Sequence, residues 1–240
     1  MRKILKIIIF VLSILIFSIN LLVTSANDKK ILDIKINIPV FIPQNDKVTK
    51  EYISVKNSEV YKSKYFKGFL EISGTDFKEA LYQYSNNDYF LTHNGLGQKK
   101  SSGATYLDYR INSTSKKILI YGHNNDKLSL PFSILENYND FDYYKEHKYL
   151  TLTFDDVKYK YEIFSVYIET SNWDYMNIGF SSNSLYKRHL NDLKSRSIYD
   201  TGVEINGNEK IIILQTCSKN KEYSSYDKKY MLVIGKLIEE

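Results

Sequence analysis

At 240 residues, with 43% hydrophobic and 25% charged side chains, the chain can fill one large domain or two small ones and is not disordered. Three prolines and ten glycines exclude collagen-like or low-complexity character, and a single cysteine, Cys217, excludes an intramolecular disulfide and a multi-thiolate zinc site. The net charge of +5 falls to about +2 once Arg2, Lys3 and Lys6 are set apart, with no dominant basic block, which argues against nucleic acid as a partner.

From Ile7 to Thr24 the chain reads IIIFVLSILIFSINLLVT. At about 1.5 Å per residue this run spans roughly 27 Å of helix, enough to cross a bilayer. The cations ahead of it should stay in the cytoplasm, which makes residues 1–26 a single-pass membrane anchor and places everything after them outside the cell. A cleaved signal peptide is the competing reading, because Thr24-Ser25-Ala26 offers small residues for a peptidase. Residues 27–66 are polar, Lys/Asn-rich and carry Pro39 and Pro43, which reads as a stalk leading into one or two short helices.

From Lys67 the pattern changes to short apolar or alternating runs separated by Asn, Asp, Gly and Ser, so 67–240 is expected to form one mainly β domain. Abundant Tyr and Ile with only three Ala favour the same conclusion. Strands are expected at Phe69–Ile72, Ala104–Leu107, Ile118–Tyr121, Tyr149–Phe154, Val157–Tyr167, Ile211–Thr216 and Tyr230–Leu237, with Asp155-Asp156 as a hairpin turn. One stretch departs from this pattern. In Ser184–Arg196 the residues Tyr186, Leu190 and Leu193 follow helical spacing, and Ser182 or Asn183 is placed to cap it.

Two segments carry reactive side chains where an apolar strand ends: Tyr121-Gly122-His123-Asn124 and Leu214-Gln215-Thr216-Cys217. A strand end holds a side chain rigidly at a rim, as a catalytic group requires. A free thiol is mostly protonated at neutral pH, and an imidazole within reach can take its proton. Both residues also have bland readings, since a lone cysteine often packs as a small hydrophobe and a histidine often serves structure. Of the four histidines, His123 stands apart from His93, His147 and His189 because a strand end and a glycine precede it.

Taken together and in order, several segments resemble the sortases, cysteine transpeptidases of Gram-positive cell surfaces, and specifically their class B. They are Ile72-Ser73-Gly74-Thr75-Asp76, Asn86–Leu91, Gly103–Arg110, Tyr121–Asn125, Phe132–Tyr143, Tyr161–Tyr167, Leu214–Cys217 and Val233–Leu237. The resemblance implies a closed eight-stranded β-barrel with peripheral helices, one of them in the loop between the sixth and seventh strands. It also implies that Cys217 attacks a threonine carbonyl in the carboxy-terminal sorting signal of a surface protein, with His123 as general acid and base. An amine of a peptidoglycan precursor or a pilin would then resolve the thioacyl-enzyme, and neither cofactor nor metal is called for.

The chain departs from the family at the third catalytic position. Sortases carry an arginine at the start of the last strand, but no arginine follows Arg196 here, and Tyr230 takes that place. Tyr230, Lys228, Thr216 and Gln215 are the candidates for contacting the substrate or oxyanion. Gln215 itself stands where a serine is frequent, and Lys78-Glu79-Ala80 replaces a proline-containing stretch, a change expected to alter only a loop. The missing arginine keeps a second reading open, in which an impaired barrel serves as a surface binding or assembly module. A cysteine hydrolase of peptidoglycan is disfavoured by the His-before-Cys order.

Overall fold

The computed structural model describes residues 60–125, 128 and 130–239. The expected anchor and most of the expected stalk lie outside the described residues. Among those described, no helix is long and apolar enough to cross a membrane.

Eight strands form the frame: β1 (Phe66–Ile72), β2 (Lys78–Tyr82), β3 (Tyr106–Leu107), β4 (Lys117–Tyr121), β5 (Tyr149–Phe154), β6 (Val157–Glu169), β7 (Ile211–Cys217) and β8 (Tyr230–Glu239). Helix α1 (Phe141–Glu146) precedes β5, and α2 (Asn183–Ser195) lies between β6 and β7. The strands close into a barrel in the order β1-β2-β3-β4-β7-β8-β6-β5, with β1 pairing β5. The β2–β3 and β4–β7 pairs are parallel; the others are antiparallel.

Alternation decides which side chains fill the barrel. In β5, Leu150, Leu152 and Phe154 are buried while the intervening Tyr149, Thr151 and Thr153 are half-buried. β4 and β7 are instead apolar on both faces. Ile118, Ile120, Ile212 and Leu214 join the inner core, whereas Leu119, Ile211 and Ile213 pack outward with Tyr186, Leu190 and Leu193 of α2. Both strands therefore read as continuous apolar runs, as strands covered on both sides should. Helix α2 begins where Ser182 accepts a hydrogen bond from Leu185 N at 3.2 Å, an N-cap. The β5–β6 hairpin turns on Asp155 and Asp156, both with positive φ, as a tight two-residue turn needs.

One expectation from sequence needs correction. Lys78-Glu79-Ala80 is not a loop but the start of β2, and Ala80 and Leu81 are buried in its pairing with β1. Its opening residues have weak strand preference and take strand geometry from their pairing with β1. Residues 131–139 form a 3₁₀ helix that delivers Phe132, Leu135 and Tyr138 to the inner core.

One buried polar contact ties α2 to the barrel. Lys117, on the outer face of β4, donates to Asn177 O at 2.8 Å and meets His189 Nε2 of α2 at 2.9 Å. Burial, then the charge of Arg110, lowers the Lys117 pKa to about 7. Burial, then Lys117 itself, lowers that of His189 to about 3, so the imidazole is a neutral acceptor.

Candidate active site

The parallel register of β4 and β7 brings the two reactive residues together. It matches Ile118 with Ile212, Ile120 with Leu214 and Tyr121 with Gln215. Gly122 N then donates to Gln215 O, so the two strand ends leave the sheet together, with His123 two residues past Tyr121 and Cys217 two past Gln215. Odd-numbered residues of both strands face outward, so the thiol stands on the outer surface at the barrel rim, where Cys217 is exposed. Although its residue is accessible, the walls around the sulfur desolvate it and push the thiol pKa up. A thiol of this kind needs a proton acceptor to become a nucleophile.

The two strand ends are pinned to each other by their backbones and by two side chains. Gly122 N donates to Gln215 O at 3.2 Å, and Thr216 Oγ1 donates to Gly122 O at 2.7 Å. Asn124 Nδ2 donates to Cys217 O at 2.7 Å and to Glu136 Oε1 at 3.0 Å. The same Glu136 oxygen accepts from Lys219 N at 2.8 Å, so one carboxylate holds both segments that leave the site. Gly122 has no room for a side chain, because a Cβ there would sit 2.6 Å from the Phe132 ring.

Below this row, Tyr121 is fixed from behind. Its hydroxyl donates at 2.7 Å to Asp108, a fully buried carboxylate that also takes paired bonds from Arg110 at 2.8 and 2.7 Å and one from Asn87 at 3.0 Å. Burial pushes the Asp108 carboxyl up, but Arg110, with Tyr121 and Asn87, outweighs it and holds the pKa at about 2. Arg110 is thus engaged in a structural pair, and Arg196 likewise binds Glu169 at 2.6 Å and Asp192 at 2.7 Å.

The candidates for substrate contact separate. Tyr230 lies directly across the β7–β8 ladder from Cys217, half-buried, with the Trp173 ring edge-to-face at 5.4 Å. Burial, then the neighbouring thiolate, raises its hydroxyl pKa, so it stays a neutral donor. Gln215 shares the outward face with Cys217, and Tyr175 donates to its Oε1 at 2.8 Å. Thr216 does not line the site: alternation turns it to the other face, where it is buried and bonded to Gly122 O. Lys228 is exposed and precedes β8, so strand alternation does not place it on the face of Tyr230. Lys229 instead turns back to the carbonyls of Asn220 and Tyr223 at 3.3 and 3.1 Å.

Asn124, Glu136, Trp173 and Tyr175 escape sequence reasoning. Asn124 was visible only as the neighbour of His123, and Glu136 was not marked because the partners that tie it to the site are 12 and 83 residues away. Among the described residues, no group of three or more His, Cys, Asp or Glu side chains is placed to hold a metal ion.

A closed eight-stranded barrel with a free thiol and an imidazole at adjacent parallel strand ends defines the class, a sortase-type cysteine transpeptidase. No protein-family model matches the chain. Sortase B of Listeria monocytogenes is 32% identical over 173 residues, which covers 71% of this chain and 69% of that protein. The structure of Clostridium perfringens sortase B aligns with a TM-score of 0.66 and 25% identity over 78% of this chain and 100% of that one. A Staphylococcus aureus sortase B–substrate complex aligns with a TM-score of 0.66 and 22% identity, covering 79% of this chain and 91% of the other. The chain belongs to the sortase B family.

Proposed function

We propose that Cys217 is the nucleophile and His123 the general acid and base of a membrane-anchored transpeptidase whose catalytic domain is extracellular. The observation that supports the reading is the β4–β7 register, which pairs Tyr121 with Gln215, each two residues before one member of the pair. The thiolate of Cys217 attacks the carbonyl of a threonine in the sorting signal of a surface protein. The peptide C–N bond breaks as His123 delivers a proton to the leaving amine, and a thioester remains on Cys217. An amine of a peptidoglycan precursor or a pilin then attacks the thioester and gives its proton back to His123. The C–S bond breaks and the thiolate is restored. Two acyl transfers thus replace one difficult exchange.

Tyr230 takes the place of the family's arginine. Its neutral hydroxyl, opposite Cys217, supplies one hydrogen bond toward the oxygen of the reacting carbonyl. It lacks the charge and the fork of donors of a guanidinium. The peptide substrate runs along the outward face, over Gln215 and beside Trp173. A solved S. aureus sortase B is a complex with its substrate, which supports a substrate-binding role for a barrel of this kind. Retention at the membrane rests on residues 7–24 and the cations before them.

The test is incubation of the full chain in detergent with a library of fluorogenic sorting-signal peptides, with and without an amine acceptor. A thioacyl adduct on Cys217, detected by mass spectrometry and lost in Cys217→Ala and His123→Ala, is expected. Absence of both cleavage and adduct across the library would favour the second reading, a catalytically impaired barrel that binds surface proteins, for which the missing arginine speaks. Accessibility of the domain to protease on intact cells tests the location.

A further inference from the structure

His123 is held by a main-chain carbonyl presented by a short helix 32 residues earlier. Its Nε2 lies 3.0 Å from Leu91 O. The Leu91 carbonyl ends a single 3₁₀ turn, Tyr89–Leu91, that is fixed at both ends. Asn86 Oδ1 accepts from Asp88 N and Tyr89 N at 3.0 Å, and Ala104 N donates to Phe90 O at 3.0 Å. A carbonyl oxygen can only accept, so the ring nitrogen facing it must carry hydrogen. The neutral imidazole therefore keeps its proton on Nε2 and its lone pair on Nδ1.

Gly103 makes this approach sterically feasible. Its φ is +59°, a left-handed conformation that favours glycine. A Cβ at this position would lie 2.2 Å from Phe90 O, 2.9 Å from His123 Cδ2 and 3.1 Å from Leu91 O. It would thus wedge between the imidazole edge and the carbonyl that holds it.

We propose that the Leu91 carbonyl selects the tautomer of His123, that Nδ1 is therefore the nitrogen that gives and takes the catalytic proton, and that Gly103 is the positioning residue that permits the contact. This rests on the Cys217–His123 reading above. In the first half-reaction the imidazolium carries hydrogen on both nitrogens. The Nδ1 proton passes to the departing amine as its C–N bond breaks, and the Nε2 hydrogen stays on the Leu91 carbonyl. In the second, the incoming amine loses a proton to Nδ1 as its bond to the acyl carbon forms and the C–S bond breaks. Nε2 keeps its hydrogen throughout, so the ring need not flip between half-reactions.

The other three histidines provide an internal reference. His93 and His147 present Nδ1, not Nε2, to the carbonyls of Tyr89 and Ser73 at 2.9 and 3.0 Å, and His189 Nε2 faces the amino group of Lys117. By the same reasoning these three carry hydrogen on Nδ1 when neutral, which leaves His123 alone with Nε2–H.

Long-range ¹⁵N–¹H correlation spectra of the full chain in micelles, labelled at the histidine rings and assigned with His123→Ala, read this directly. Above the imidazole titration, His123 should show a protonated Nε2 and an unprotonated Nδ1; the reverse pattern overturns the proposal. Placing Nδ-methylhistidine at position 123 blocks Nδ1 while leaving Nε2 able to exchange a proton. Turnover should fall about a hundredfold or more, on the scale of general acid–base catalysis, and wild-type turnover would overturn the assignment. Gly103→Ala should lower kcat about a hundredfold, as misplacement by about an ångström does, with KM nearly unchanged and the Nε2–H signature of His123 lost. Unchanged kcat would remove Gly103 from the scheme, and if this variant fails to fold, the methylhistidine experiment still decides. Should Cys217→Ala and His123→Ala both retain turnover, the underlying reading fails. Should they lose it while the Nδ-methylhistidine chain remains active, only the tautomer assignment fails.

Discussion

Asn124 Nδ2 donates to the main-chain carbonyl of Cys217 at 2.7 Å, so the residue that follows the imidazole holds the strand end that carries the thiol. The bond crosses 93 residues of sequence, and its geometry is shared with Glu136, which braces both sides. A side chain next to His123 in sequence thus anchors the main chain at Cys217.

Removing that brace should loosen the pair without emptying the groove. Asn124→Ala is expected to lower kcat by about one to two orders of magnitude, since small displacements of reacting groups are costly. KM should change little, and stability should drop by about 1–2 kcal/mol for the lost bonds. Steady-state kinetics and denaturant unfolding check both; unchanged kcat would show that the strand ends keep their spacing unaided.

Burial raises the Cys217 thiol pKa. Because the thiolate is the reacting form, alkylation by iodoacetamide should keep rising with pH beyond the range of an exposed cysteine. A pH–rate profile of carbamidomethylation, followed by mass spectrometry, measures it. An inflection near neutrality would mean that the neighbouring imidazolium stabilises the thiolate enough to outweigh burial.

Tyr230→Phe keeps the ring against Trp173 and deletes only the hydroxyl. If that hydroxyl donates to the reacting carbonyl, turnover should fall about tenfold or more, toward the hundredfold typical of a lost oxyanion donor. Equal rates for Tyr230→Phe and the parent chain would remove the hydroxyl from the mechanism. A large gain in Tyr230→Arg would instead identify the native site as impaired.

Asp108 links the core to the site through Tyr121 and contributes a defined acid limb to stability. Its folded pKa, about 2, lies below the unfolded value of about 3.9. The unfolded chain therefore binds more protons between these values, and the stabilisation, complete above about pH 4, is lost as pH falls through about 2. Asp108→Asn should flatten that limb and cost about 2 kcal/mol at neutral pH, since hydrogen bonds to charged groups contribute about 1.5–3 kcal/mol. Urea unfolding between pH 2 and 7 distinguishes the two chains, and parallel curves would contradict the account.

Lys117 predicts the opposite limb. Its folded pKa of about 7 lies below the unfolded value of about 10.4, so the unfolded chain binds more protons between them. Stability relative to Lys117→Met should therefore rise with pH from about 7 to about 10. A pH-independent difference in unfolding free energy between the two chains would mean that the buried amine keeps its ordinary affinity for protons.

Seven of the eight strands were legible in sequence because alternation and apolar runs are local signals, and helix α2 because its apolar residues recur at helical spacing. The turn at Asp155-Asp156 was legible for the same local reason. β2 was not, since its opening Lys78-Glu79-Ala80 has weak strand preference and acquires strand geometry from its pairing with β1. The site divided in the same way. Cys217 and His123 were marked by their places at the ends of apolar strands, whereas Thr216 was misplaced because adjacency in sequence does not mean a shared face.

By itself the sequence determined the chemistry at hand: one thiol, one imidazole at a strand end, an apolar amino-terminal run and no arginine after residue 196. Only the tertiary structure decided which groups meet. The parallel β4–β7 ladder brings together the strand ends that lead to His123 and Cys217, the β7–β8 ladder sets Tyr230 opposite Cys217, and the Leu91 carbonyl holds one particular nitrogen of the imidazole. Those relations depend on strand order and register across 13 to 94 residues of chain, and long-range pairing of that kind leaves no local pattern from which it can be read.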